Sequence, residues 1–333
     1  MTVLVDPVQV QRAREHQTMV PPVELRPDTL PTDRLLVSGK AVPEVRAELR
    51  RIPNVRNVVN VLSVWAQSFG LIALACWIGH PVMWAATFVL MGRAFALYGI
   101  LGHEAAHRLL FSTRWANDGI GRWGLSYPGI VPFDVYRRSH FAHHKDEMGP
   151  EEPDVNLYAH YPITRDSLGR KLRRDAFGNS GWKSLKGLFR GLRYDRTRGV
   201  ALRILGTQAV ILGIFTAFGR PELYPLLWLA PWMTGWRVIN RLRAIAEHGG
   251  MIRSDDRRET THHVRQTWAA RFWIVPFNTG WHLAHHVDMG VPFHHLPRFH
   301  QELVEAGWVV PDLEYPNYRT LWKALSARER AEA

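Results

Sequence analysis

Four long apolar runs constrain the fold of this sequence more than any other feature. They extend from about Val58 to Ile78, Val82 to Leu101, Leu202 to Phe218 and Leu223 to Ile239. A helix of about 20 residues, rising 1.5 Å per residue, reaches across the roughly 30 Å hydrocarbon core of a bilayer. Only Gly79, His80 and Pro81 separate the first two runs, and Gly219 to Glu222 the last two, so the runs pair into two transmembrane helical hairpins. The expected fold is therefore all-α and integral to a membrane, with spans at about 58–78, 82–101, 202–218 and 223–239. A mean hydropathy of −0.18 resembles that of a soluble protein only because very polar stretches dilute the runs.

Charge placement orients the hairpins. The segment from Arg108 to Gly199 is rich in basic residues, among them Arg137, Arg138, Arg170, Lys171, Arg173, Arg174 and Arg190, whereas Arg220 stands alone in the hairpin turns. Because Lys and Arg accumulate on the cytoplasmic side, both termini and the long segment are expected there. The net charge of +12 then reads as attraction to anionic lipid, and no nucleic-acid partner is expected. Outside the spans, residues 1–35 are polar and dotted with proline and read as a flexible N-terminal tail. Residues 36–310 form the working domain, and 311–333 a C-terminal tail. The stretch 42–52 has the pattern of a short amphipathic helix lying at the interface.

Histidines fall on one side of this topology. His103 and His107 lie where the second run ends, His140, His143 and His144 in the basic segment, His248 just past the fourth run, and His282, His285 and His286 further on. HEAAH (103–107) puts two imidazoles at i and i+4, one helical face, suited to a single metal ion. The same pattern matches the zinc metalloprotease HExxH. HFAHH (140–144) and HLAHH (282–286) each place three imidazoles at i, i+3 and i+4, which lets one helical turn serve two neighbouring ions. The total is too many for one ion and right for two. Cys76 is the single cysteine, which excludes cysteine-based zinc and iron–sulfur sites, and imidazole alone does not choose among iron, copper, zinc and nickel.

Metal-bound imidazoles commonly donate their second N–H to a carboxylate, which fixes the tautomer. Glu104, Asp146, Glu247 and Asp288 adjoin the histidine clusters and are the candidates for this role, with Glu147 and Asp154 also close. Glu104 would act as an orienter and not as a base. Tryptophans near the spans (Trp65, Trp84, Trp228, Trp232 and Trp236) suit either an interfacial belt or an acyl tunnel.

As a set, the three boxes resemble those of the membrane fatty acid desaturases, whose pattern is HxxxH, HxxHH and HxxHH around two helical hairpins. The VPFHHLPRFH stretch after HLAHH looks especially like the acyl-lipid branch. The resemblance covers about residues 40–310. It implies a cytoplasmic helical cap holding a di-iron centre on His103, His107, His140, His143, His144, His248, His282, His285 and His286, with no catalytic residue beyond these ligands. It further implies an oxidoreductase of lipid and fatty acid metabolism that uses O2 to introduce a C=C bond into an acyl chain carried by a lipid or a thioester.

A di-iron hydroxylase of a lipid or other hydrophobic substrate is the alternative, because the boxes do not distinguish the two outcomes. A zinc-dependent intramembrane protease would have no use for two HxxHH boxes, and a transporter would place its ligands near the bilayer midplane. Electrons are expected from a separate donor of the ferredoxin or cytochrome type, since no Gly-rich dinucleotide fingerprint, iron–sulfur cysteine set or fused haem domain is present.

Overall fold

The computed structural model describes residues 18–328. Residues 1–17 and 329–333, the outer parts of the two expected tails, lie outside the described residues. The chain is mostly helical: α1 (Pro43–Leu49), α2 (Asn54–Ile78), α3 (Pro81–Ala106), α4 (Arg114–Gly119), α5 (Phe133–Lys145), α6 (Arg165–Ala176), α7 (Asn179–Gly191), α8 (Asp195–Ala217), α9 (Ala230–Met233), α10 (Gly235–His248), α11 (Arg257–Thr260), α12 (Trp268–Trp273), α13 (His282–Val287), α14 (Leu296–Glu305) and α15 (Tyr318–Leu325). Two short strands, β1 (His263–Val264) and β2 (Glu314–Tyr315), pair in parallel. The chain divides into two compact units. One comprises Met1–Arg51, Arg138–Arg170 and Arg241–Ala333, and the other Ile52–Arg137 and Lys171–Asn240.

The second, apolar unit contains the long helices. Gly79 ends α2 with φ +68°, a left-handed conformation that only glycine adopts without strain. Pro81 then opens α3, and the His80 side chain accepts from the Val82 N–H at 3.2 Å. A tight hairpin follows from this sequence of cap and start. Three helical stretches are long and apolar enough to cross a membrane: the one ending at Ile78, Pro81–Ala106 and Asp195–Ala217. The most apolar window of α3 is 61% buried, against 22% and 28% for the other two stretches. Large apolar side chains such as Val59, Leu62, Trp77, Val210 and Phe218 therefore face outward. In water such surface is costly, whereas in hydrocarbon it needs no covering, and the protein is a membrane protein.

The expected fourth span is not a single helix. From Leu223 the chain forms a π-helical segment (Tyr224–Leu229), then α9, breaks at Thr234, and resumes as α10. Pro225 and Pro231 supply no backbone N–H, so a regular ladder cannot run through them. Gly92 in α3 meets the Gly235 backbone so closely that an added Cβ would sit 3.3 Å from it, an approach open only to small residues. Packed within the unit are Trp65, Phe69, Phe95, Tyr98, Phe215 and Trp228, with ring centroids 5.4–6.1 Å apart for the pairs among them. Three polar side chains there reach backbone carbonyls: Trp65 donates to the Gly124 carbonyl at 2.8 Å, Trp232 to that of Gly129 at 2.7 Å, and Gln208 to that of Tyr127 at 2.7 Å.

In the other, histidine-rich unit, the described parts of the two expected tails, residues 18–35 and 311–328, make packed contacts. Met19 and Leu35 are buried, and Arg34 pairs with Glu302 at 2.6 Å. At the far end α15 buries Tyr318, Leu321, Ala324 and Leu325, while Trp322 donates to the Leu242 carbonyl at 2.9 Å. The i, i+3, i+6 and i+7 spacing of those buried residues makes an amphipathic helix with a core-facing stripe, so the C-terminal segment packs instead of trailing.

Candidate metal centre

Three helices of the histidine-rich unit supply its imidazoles: α5 carries His140, His143 and His144, α10 ends on His248, and α13 carries His282, His285 and His286. In each box the i, i+3, i+4 spacing turns the rings to one face, and the ring nitrogens meet in two groups. His282 Nε2 lies 3.0 Å from His248 Nε2 and 3.0 Å from His286 Nε2. In the second group His144 Nε2 lies 3.1 Å from both His140 Nε2 and His285 Nε2. His143 joins the first, since one ring nitrogen each of His143, His248 and His286 falls within a 4.8 Å cluster.

In the first group the opposite ring nitrogens of His143, His248 and His286 are tied down. His248 Nδ1 donates to the Thr260 carbonyl at 2.8 Å and His286 Nδ1 to Glu147 at 2.5 Å. Glu152 takes His143 Nδ1, beside which the Tyr158 hydroxyl lies at 3.3 Å. Glu147 is itself fixed, accepting from the Thr260 hydroxyl at 2.6 Å and pairing with Arg257 at 3.0 Å. A proton held at Nδ1 leaves a lone pair on Nε2 of a neutral ring. His248 and His286 thus each turn an Nε2 lone pair toward His282 Nε2 at 3.0 Å, and a single N–H on His282 could satisfy only one of them, whereas a cation among the three would satisfy all. Donor chemistry therefore fits metal ions, and the two groups of nitrogens fit two of them.

Electrostatics keep three of these rings neutral. Burial, reinforced by neighbouring imidazoles, holds His248, His282 and His286 well below the ordinary histidine pKa. His143 moves the other way: burial would lower it, but the hydrogen bond and charge of Glu152 outweigh that and raise it. Burial also lifts Glu147 above the usual carboxylate range, against the opposing pull of Arg257.

Of the carboxylates expected to orient ligands, Glu147 does so. Glu247 lies 3.6 Å from His282 Nδ1 while accepting from Arg243 at 2.6 Å. Asp146 and Asp288 face arginines instead: Asp146 pairs with Arg253 at 2.6 Å, Asp288 with Arg50 at 2.7 Å. Exposed guanidinium groups compete for carboxylates at the rim, whereas Glu152 is buried against His143 and the Met148 N–H, and Glu147 against His286, the Thr260 hydroxyl and Arg257. Sequence reading missed Glu152, Tyr158 and Thr260. Thr260 acts partly through its carbonyl, which no side-chain pattern reveals. His262 and His263 are engaged elsewhere, His262 donating to the Gly249 carbonyl at 2.8 Å and His263 to Glu314 at 3.2 Å.

His103 and His107 belong to the apolar unit, at the end of α3, with ring centroids 4.7 Å apart as the i, i+4 spacing requires. Glu104 beside them is buried.

Long outward-apolar helices and a carboxylate-backed imidazole cluster define a membrane protein built to bind metal through histidine. The chain belongs to the fatty acid desaturase family, whose profile matches residues 78–322. It is an oxidoreductase of that family. Among similar proteins are the sn-1 oleoyl-lipid 12-desaturases of Arthrospira platensis (22% identical, covering 72% of each chain) and Anabaena variabilis (24%, 76% of each). The dihydrorhizobitoxine desaturase of Bradyrhizobium elkanii is 26% identical over 58% of this chain and 60% of its own.

Proposed function

We propose that this protein desaturates a fatty acyl chain in a membrane, using O2 at a di-iron centre. The observation that carries the reading is the convergence of imidazole nitrogens in two groups, with His143, His248 and His286 held through Nδ1 by buried acceptors. The proposed ligands are His103, His107, His140, His143, His144, His248, His282, His285 and His286. His103 and His107 enter on the family pattern, and Glu104 as their orienter. Bound iron would supply the activation of O2 needed to take hydrogen from an unactivated methylene.

The chain's own part is positional. Glu147, Glu152 and the Thr260 carbonyl hold imidazole tautomers so that no ring must rotate when metal binds. Burial of His143, His248, His282, His285 and His286 keeps bulk water from the site. Introducing one double bond removes two hydrogens and two electrons from the chain. Reduction of O2 to two waters takes four electrons, so two more must come from a separate donor. A ferredoxin or cytochrome-type partner is proposed, and a relative from Nostoc sp., 33% identical over 92 residues, is named an omega-3 desaturase (ferredoxin). The substrate is an acyl lipid or acyl thioester.

In the membrane we propose that residues 223–239, though broken, complete the second hairpin, which puts both termini and the metal centre on the cytoplasmic side, where the basic segments lie. Mass spectrometry of lipids from cells expressing wild type or His143→Ala, with iron and a reductase supplied, tests the function. Acyl chains two mass units lighter with wild type alone are expected. A gain of sixteen, or no difference between the two, would refute desaturation.

A further inference from the structure

Thr260 serves the metal centre twice. Its carbonyl accepts from His248 and its hydroxyl donates to Glu147, which accepts from His286; His282 links the two rings on their Nε2 side. The circuit closes on one residue with no exposed surface. Yet Thr260 ends α11, which is only four residues long, and a single helical turn does not hold its own geometry because its nucleus is costly. Something outside must fix it.

That support comes from residues 18–27. The Arg26 guanidinium bonds Glu259 and lies 3.8 Å from Asp256, the residue whose side chain caps α11. Its Nε donates to the Pro21 carbonyl at 3.1 Å, which fixes the side chain in turn. Arg258 of α11 donates to the Pro27 carbonyl at 2.8 Å. At the other end of the segment, the Met19 N–H donates to the Gly250 carbonyl at 2.8 Å. Gly250 has φ +73°, and a Cβ there would fall 2.5 Å from the Tyr161 carbonyl oxygen, so the contact is sterically defined. Residues 18–27 thus pin the stretch 250–260 at both ends, and they lie outside the 78–322 region that matches the family.

We propose that this N-terminal strap, acting through Arg26, positions Thr260 and thereby His248 and His286 for one of two metal ions, whereas the His140–His144–His285 group feels the strap only at second hand, through His286. The inference rests on the proposed metal centre. Arg26 touches no ligand and is a positioning residue. Its effect is selective for one ion, which a general contribution to folding is not.

The experiment uses the full chain in lipid nanodiscs, as wild type, Arg26→Ala, Arg26→Lys, Thr260→Val and Thr260→Ser, each loaded with Co(II). Bound metal per chain, the cobalt absorption bands and the release of each ion to a chelator are measured. Wild type should bind two ions. Arg26→Ala and Thr260→Val should release one of them about 10-fold faster, the lower end of what outer-sphere partners contribute, and alter only part of the spectrum. Thr260→Ser, which keeps the hydroxyl, should behave as wild type, and Arg26→Lys should fall between. Unchanged release from both alanine and valine variants would overturn the strap, as would equal acceleration of both ions. Should Arg26→Ala fail to fold, the Val and Ser pair at 260 decides. A wild type that binds no cobalt would instead overturn the metal centre itself, a result distinct from either failure of the strap.

Discussion

The two units solve opposite problems with the same secondary structure. In the apolar unit helices pack through aromatic rings and small residues, as at Trp228 and at the Gly92–Gly235 contact, and the few polar groups reach backbone carbonyls nearby. In the histidine-rich unit the interior is crowded with imidazoles and carboxylates that satisfy one another through Glu147, Glu152 and Thr260. The first interior is built mainly by apolar packing, with His103 and His107 at the end of α3. The second has ring nitrogens aimed at each other, which in the proposed function a cation would hold, so the stability of the two units should respond to different perturbations.

Metal removal should give the largest contrast. An ion held at a thousandfold excess over its Kd adds about 4 kcal/mol to the state that binds it, so chelation should destabilise the histidine-rich unit by about that amount per ion. Hydrogen exchange read peptide by peptide should show α13 and residues 250–262 losing protection while α2 and α8 keep theirs. Equal loss everywhere would break the distinction between the units.

Trp228→Ala reverses the pattern. Removing a side chain with no exposed surface from the aromatic cluster should cost about 3–5 kcal/mol in thermal unfolding while metal per chain is unchanged. A smaller loss, about 1–3 kcal/mol, is expected for Gln208→Leu, which strips hydrogen bonds from the Tyr127 and Pro128 carbonyls and from the Tyr224 hydroxyl.

The smallest effect concerns pH. Hydrogen bonding to His263 holds the Glu314 carboxyl below the usual glutamate value. A depressed folded pKa means stabilisation that is present above the unfolded value of about 4.3 and is lost as pH falls through the folded one. Glu314 is partly exposed, so the contribution should stay below about 1 kcal/mol. Melting of wild type and Glu314→Gln should therefore differ at pH 6 and converge near pH 3. A difference that persists at pH 3 would assign the contact to packing and not to charge.

Much of the fold and site was legible because it repeats along the chain. The apolar runs announced α2, α3 and α8, since a spanning helix is local in sequence and needs only length and hydrophobicity. Box spacing announced which imidazoles share a helical face. Two things were misread for a physical reason: α15, whose stripe of Tyr318, Leu321, Ala324 and Leu325 was taken for tail, and Asp146 and Asp288, which sit beside boxes in sequence but were claimed by Arg253 and Arg50. Adjacency along a chain does not say which way a side chain points once a helix ends.

By itself the sequence determined a helical membrane protein with histidines clustered at helical spacing in HEAAH, HFAHH and HLAHH, because helix periodicity and hydropathy act over a few residues. Tertiary structure alone decided that Glu147 and Glu152 orient the rings, that a backbone carbonyl at Thr260 joins them, and that residues 18–27 brace that turn. Those assignments depend on which buried N–H finds an acceptor first, and partners such as His286 and Glu147, 139 residues apart, meet only when the chain has folded.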